Sequence, residues 1–144
     1  MPPGRAATTD VEWDFSPYTS QVYLDGELEA PTINYNGMQI VGAVATDNKD
    51  YVAAEGVHYN GATKAGQRYI HYIPSVDGRL TVSYKSNGSS ARGCYISEEI
   101  STTNYLATDS AVVGSVVARL KAGRSYYICC DAGITITNIL YSPY

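Results

Sequence analysis

The segment Arg79 to Lys85 (RLTVSYK) sets Leu80, Val82 and Tyr84 against Thr81, Ser83 and Lys85 in strict alternation. Successive residues of a strand point to opposite faces, so this pattern buries one face of a β-strand and wets the other. The alternation returns in Ser115 to Lys121 (SVVARLK), with Val116, Ala118 and Leu120 on one side and Val117, Arg119 and Lys121 on the other. No segment holds apolar residues at i, i+3, i+4 and i+7 for more than a turn or two, so the period of a helix is missing.

Turn residues divide the chain into short strands. Gln67 to Ile73 (QRYIHYI) stops at Pro74 and Val76-Asp77-Gly78, and Asn87-Gly88 separates Arg79–Lys85 from Arg92 to Ser97 (RGCYIS). Ala122-Gly123 precedes Ser125 to Cys130 (SYYICC), and Gly133 opens Ile134 to Tyr141 (ITITNILY). Read by their turns, the first three of these segments form an antiparallel meander packed on a core, and the last third of the chain repeats it. Val11–Phe15, Val22–Leu24 and Met38–Val44 are the strands expected earlier. About nine or ten such strands predict an all-β fold, a two-sheet antiparallel β-sandwich of jelly-roll type.

A length of 144 residues suits one domain. Residues 11–144 are taken as that domain, and residues 1–10 (MPPGRAATTD) as a polar leader or cloning remnant that has no apolar stretch of a signal peptide. The chain is then expected to be cut from a larger secreted protein. No apolar run approaches the roughly 20 residues that cross a bilayer, so no membrane association is expected. A net charge of −4 argues against nucleic acid as partner. The charge is uneven: residues 1–60 carry nine acids and two bases, and residues 61–144 five acids and eight bases, which leaves an anionic ligand a basic region to find.

Chemistry-bearing constellations are sparse. Of the two histidines, His58 and His71, the second sits mid-strand and reads as a hydrogen-bonded structural residue. No G-x-S-x-G elbow occurs, the 13 glycines are scattered over turns, and Glu98 and Glu99 are adjacent and point apart. No catalytic role is expected. Cys94, Cys129 and Cys130 show no zinc-ligand spacing, so neither metal nor cofactor is expected. Cys129 and Cys130 face opposite sides of their strand, and either one of them meets Cys94 on a neighbouring strand or all three are buried thiols.

Two residue types stand out. There are 14 tyrosines against one tryptophan and one phenylalanine. A tyrosine ring packs on the C–H face of a sugar while its hydroxyl bonds a substituent, and it equally suits the rim of a sandwich core. Tyr59, Tyr69 and Tyr105 are the surface candidates. Only four lysines occur. Lys64 lies in the glycine-flanked run Asn60 to Gly66, and Lys85, Arg119 and Lys121 fall at polar-face positions, where they are either solvated charges or a cationic face for a carboxylated polymer.

The chain resembles the non-catalytic carbohydrate-binding modules attached to bacterial pectate lyases and related pectin enzymes. The resemblance rests on Trp13-Asp14-Phe15-Ser16, on Arg68-Tyr69-Ile70-His71-Tyr72-Ile73-Pro74 with Gly78-Arg79-Leu80-Thr81-Val82, on Ser89-Ser90-Ala91-Arg92 and on Gly133-Ile134-Thr135-Ile136, and runs from Trp13 to Tyr141. It implies a β-sandwich that binds homogalacturonan of low esterification through lysines and without a metal. Lys49 and Lys64 match the basic contacts, and the third falls at Arg119 or Lys121, with Lys121 favoured for its type. The implied protein is a secreted monomer, joined to a catalytic domain and partnered by plant cell-wall polysaccharide. The Cys129-Cys130 pair and the tyrosine count depart from that family. They keep open a tyrosine platform for neutral β-glucan or xyloglucan, and a structural or adhesive domain that pairs with protein through a sheet edge.

Overall fold

The structure is a computed structural model and describes residues 9–47 and 49–144. Of the expected leader, residues 1–8 therefore lie outside the described residues. Among the described residues there is no helix, and the strands in chain order are β1 (Val11–Asp14), β2 (Val22–Tyr23), β3 (Asp25–Gly26), β4 (Thr32–Tyr35), β5 (Met38–Val41), β6 (Ala43–Val44), β7 (Tyr51–Ala53) and β8 (Gly56–Tyr59). Then come β9 (Tyr69–Tyr72), β10 (Gly78–Ser86), β11 (Arg92–Ser97), β12 (Ala107–Ala111), β13 (Val113–Leu120), β14 (Tyr126–Cys130) and β15 (Ile134–Pro143).

Two antiparallel sheets enclose the core. The first runs β13-β10-β15-β8-β7-β2, with β1 laid beside the second half of β15, and the second runs β12-β11-β14-β9-β5-β4. The expected antiparallel sandwich is present. The small pair β3–β6 is parallel. Alternation decides which residues enter the core: β10 buries Leu80, Val82 and Tyr84, and β13 buries Val116, Ala118 and Leu120, as their parity predicts. Each large aliphatic side chain so buried contributes about 1.5–3 kcal/mol.

The expected meanders do not form. β9 and β11 belong to the six-stranded sheet, while β10, between them in sequence, lies in the other. Likewise β14 sits across the core from β13 and β15. Turn residues mark where a strand stops, but they do not say whether the next strand lies alongside or opposite. Strand length does: β10, β13 and β15, with 9, 8 and 10 residues, match one another and pair along the whole of β10.

β15 carries one irregularity that positions the site. Ser83 pairs with Asn138 but Tyr84 with Ile136, so Thr137 is an extra residue, a β-bulge. Without it, Ile136 and Ile139 would face opposite sides. With it, Ile134, Ile136, Ile139 and Tyr141 all reach the core and Thr135 is turned outward. Trp13 ties the sheets together, since its indole Nε1 donates to Tyr35 O at 3.0 Å and its ring meets Tyr72 edge-on. Tyr35 belongs to a hairpin closed by Asn36-Gly37, both at positive φ, 46° and 86°, as a two-residue turn of this kind requires.

Candidate functional site

Outward-facing residues of the seven-stranded sheet line up across five strands. The register pairs Tyr23 with Tyr51, Tyr51 with His58, His58 with Thr135 and Thr135 with Lys85. These positions lie on the outer side of the sheet because their neighbours Val52, Val57, Ile134, Ile136 and Tyr84 face in. Tyr23, Tyr51, His58 and Lys85 are wholly or partly exposed there, while Thr135 is covered, at 3% exposure. Adjacent strands lie roughly 4.8 Å apart, so the row from β2 to β10 is about 19 Å long.

The row is ordered by ring contacts and hydrogen bonds. Tyr51 and His58 stack with centroids 4.5 Å apart and planes within 5°, and Tyr23 meets Tyr51 edge-on at 6.1 Å. Tyr23, 56% exposed at the sheet edge, offers the accessible ring. Asn87 Nδ2 donates to Tyr59 O at 3.0 Å, which turns its Oδ1 towards Thr135, whose hydroxyl donates to it at 2.6 Å. With that proton committed, the His58 Nδ1 at 3.3 Å from Thr135 Oγ1 is the donor of that pair, and Nε2 keeps its lone pair. Burial holds the imidazole below its ordinary value, against the pull of Asp50 and Glu55, and favours the neutral ring.

Two clefts adjoin the row. One of about 130 Å3 is lined by Gln21, Tyr51, Ala53, Glu55 and His58 among others, and one of about 300 Å3 by Tyr23, Asp25, Thr46 and Lys49. At the other end Lys85 pairs with Glu55, their side chains 43% and 60% exposed, so the pair is a weak one that a ligand carboxylate can replace.

Lys49 owes its place to a buried ion pair. Asp50 and Arg68 are 0% and 4% exposed, with Arg68 Nε 2.9 Å from Asp50 Oδ2, and Asp50 Oδ1 accepts the Asn60 N–H at 2.7 Å. Asp25 accepts the backbone N–H of both Lys49 and Asp50. Lys49 itself is left-handed, with φ 57°. Lys64 begins a turn closed by Gln67 N–H to Lys64 O at 3.1 Å, and Gln67 Oε1 accepts the Val44 N–H at 2.9 Å. The loops bearing Lys49 and Lys64 thus meet at one end of the sandwich.

The other predicted positions lie elsewhere. β10 runs from Gly78, opposite Leu120, to Ser86, opposite Ile134, about 26 Å away at the rise of an extended strand. Arg119 and Lys121 are at the Leu120 end, and Arg119 sits over the Tyr144 ring at 5.8 Å. Lys85 shares their sheet face but lies near the far end. Arg119 and Lys121 therefore lie apart from Lys85, and neither is on the loops that carry Lys49 and Lys64. Tyr69 is on the outer side of the six-stranded sheet, edge-on to Tyr127, which stacks on His71. His71 is held between Gln39 Oε1 at 2.9 Å and Ser125 Oγ at 3.0 Å, a structural histidine as expected.

Tyr59 is a correction. It was expected on the surface but is 1% exposed, because its parity on β8 points it into the core, where its hydroxyl lies 2.8 Å from Val41 O and 2.9 Å from Tyr69 O. Tyr105 is exposed and packs on Tyr95. Glu99 is engaged by Asn104 Nδ2 at 2.6 Å, in a cleft whose other lining acid is its neighbour Glu98. Tyr23, Tyr51 and His58 were not singled out from sequence. The strands that carry them have two, three and four residues, so no period marked them in the sequence. Among the described residues no three His, Cys, Asp or Glu side chains gather as a metal site.

No protein-family description matches the chain, and no curated protein matches its sequence. Several solved structures are similar to it. A family 6 carbohydrate-binding module, studied by crystallography and isothermal titration calorimetry of its binding sub-sites, is 14% identical, with a TM-score of 0.45 over 88% of this chain and 95% of that one. A structure from work on glycan recognition in the Ruminococcus flavefaciens cellulosome is 12% identical, with a TM-score of 0.45 over 94% of each chain. The Clostridium stercorarium module CsCBM6-3, in complex with cellobiose, is 11% identical, with a TM-score of 0.46 over 88% of this chain and 95% of that one.

Proposed function

We propose that the chain is a non-catalytic carbohydrate-binding module that holds a polysaccharide along the row Tyr23–Tyr51–His58–Thr135–Lys85, with weakly esterified homogalacturonan as ligand. The observation that carries this reading is the row itself, aromatic at its centre and flanked by Lys49 and Lys85. A polymer crossing the strands advances about 4.8 Å per strand, close to one pyranose unit, and meets Tyr23, Tyr51, His58 and Lys85, with Thr135 buried beneath as the support of His58. Ring faces and edges take the C–H surface of the sugars, while the two ammonium groups meet carboxylates. Each exposed charge contact contributes below about 1 kcal/mol, so affinity comes from several contacts and weakens as salt screens them. Such affinity suffices for a secreted module tethered to a catalytic domain, because tethering raises the local concentration of polymer.

A neutral β-glucan is the second reading, favoured by the engagement of Lys85 with Glu55 and by the uncharged centre of the row. Calorimetric titration with polygalacturonate, xyloglucan and cello-oligosaccharides at low and high salt separates the two. Salt-sensitive heat with polygalacturonate alone, reduced roughly 5–30-fold in affinity by Tyr51→Ala, is the expected result, equivalent to about 1–2 kcal/mol. Salt-indifferent binding of a neutral glucan would transfer the site to the second reading. Binding that ignores Tyr51→Ala would remove the row from either.

A further inference from the structure

Cys94 on β11 and Cys130 on β14 are direct register partners, and both belong to the core between the sheets. Opposed residues in an antiparallel ladder alternate between hydrogen-bonded pairs and non-hydrogen-bonded ones, and the latter bring Cα atoms to about 4.5 Å. Asp131 N donates to Gly93 O at 3.3 Å, a bond one residue beyond Cys130 and one before Cys94. Cys130 directs its own backbone elsewhere: its N–H donates to Thr63 Oγ1 at 2.9 Å and its carbonyl accepts the Thr63 N–H at 2.8 Å. Cys94 and Cys130 are therefore a narrow, non-hydrogen-bonded pair. That spacing lies within the roughly 4.4–6.8 Å between Cα atoms that a disulfide bridges. Cys129 faces the opposite side of β14, opposite Tyr95.

We propose that Cys94 and Cys130 are a disulfide-forming pair, joined across the six-stranded sheet when the chain folds under oxidising conditions. One thiolate attacks a small-molecule disulfide such as glutathione disulfide, forms a mixed disulfide and expels one thiol. The second thiolate then attacks the protein sulfur and expels the other. The two cysteines lose two protons and two electrons, and the oxidant leaves as two thiols. All three cysteine thiols are free and buried in the structure, and Cys130 Sγ lies 3.4 Å from Gly61 O. Closure turns that sulfur away from Gly61 and towards Cys94. Burial pushes the Cys94 thiol up and that of Cys130 up to about 12, and the packed core keeps an oxidant out. The bond therefore forms as β11 and β14 come together, before the core closes. It fastens the edge hairpin β11–β12 to the middle of its sheet.

The test is to refold the full chain from denaturant in a glutathione redox buffer, then denature it and count thiols. The expected count is one per chain, falling to none in Cys129→Ser and rising to two in Cys130→Ser. Reduction of the refolded chain is expected to lower Tm by roughly 10 °C. Three free thiols in the unaltered chain overturn the proposal, and so does an absence of free thiol in Cys130→Ser, which would assign the bond to Cys129. If Cys130→Ser does not fold, a count of two thiols in Cys129→Ser refutes the pair on its own.

Discussion

Arg68→Met keeps the length of the side chain and removes the charge that answers Asp50. The guanidinium is 4% exposed, and its Nη2 is buried without a partner among the described residues. Gly61 makes room for it, since a Cβ there would stand 2.6 Å from Nη1. Breaking a buried ion pair from one side costs about 3–5 kcal/mol, because the surviving charge is left uncompensated. At about 2–4 °C per kcal/mol, Tm at neutral pH falls by roughly 6–20 °C. The loss depends on pH. Burial already raises the Asp50 carboxyl, opposed by the Asn60 N–H and by Arg68. Without Arg68 the folded value rises further while the unfolded value stays ordinary. The folded variant then takes up its proton first as pH falls, so its deficit is greatest above the folded value and shrinks as pH drops through it. Thermal unfolding of both proteins at pH 7.5 and near pH 4.5 checks this. An equal deficit at both pH values, or one below about 1 kcal/mol at pH 7.5, would mean that Asp50 reaches water and that the pair does not set the end loops.

Other substitutions separate stability from binding. Lys49→Gly removes an ammonium at a left-handed position that glycine adopts freely, so polygalacturonate affinity should fall at low salt while Tm holds or rises; a fall in Tm would contradict the backbone argument. His58 and His71 are both held below the ordinary 6.5 by burial, so the unfolded chain takes up protons first as pH falls and stability declines below that value. Unfolding curves from pH 7.5 to 5.5 should show the decline, shallower in His58→Gln; an unchanged slope would place His58 in water. Gly56→Ala should be strongly destabilising in the same assay, since φ is 143° and the new Cβ would stand 2.0 Å from Ile136 O; a Tm within a degree or two of the parent would refute this.

The fold class and the inward faces of the long strands were legible because alternation records burial directly. Leu80, Val82, Tyr84, Val116, Ala118 and Leu120 all lie where parity puts them. Sheet membership was not legible, because Pro74, Asn87-Gly88 and Gly123 end strands in the same way whether the chain turns back or crosses the core. β7 and β8 have three and four residues, too few to establish a period, and Tyr59 was misplaced with them. The row Tyr23–Tyr51–His58–Thr135–Lys85 was out of reach for a related reason. It exists only once five strands from distant parts of the chain take their register, and the Thr137 bulge decides which way Thr135 looks. The lysines were visible as residues, but their division between two ends of the sandwich depends on strand direction.

The middle of the seven-stranded sheet is β15, flanked by β10 on one side and by β8 and β1 on the other. A ribosome therefore delivers the keystone after everything it must hold. β1, β8 and β10 are all synthesised before the strand that joins them, and β1 waits for its partner until β15 has been made. Completion of this sheet is consequently deferred until β15 has cleared the exit tunnel. Pairing between segments so far apart is slow once it begins, because loop closure precedes the contacts that reward it. During that interval the nascent chain presents apolar strand faces that a holding chaperone or a secretion apparatus would grip.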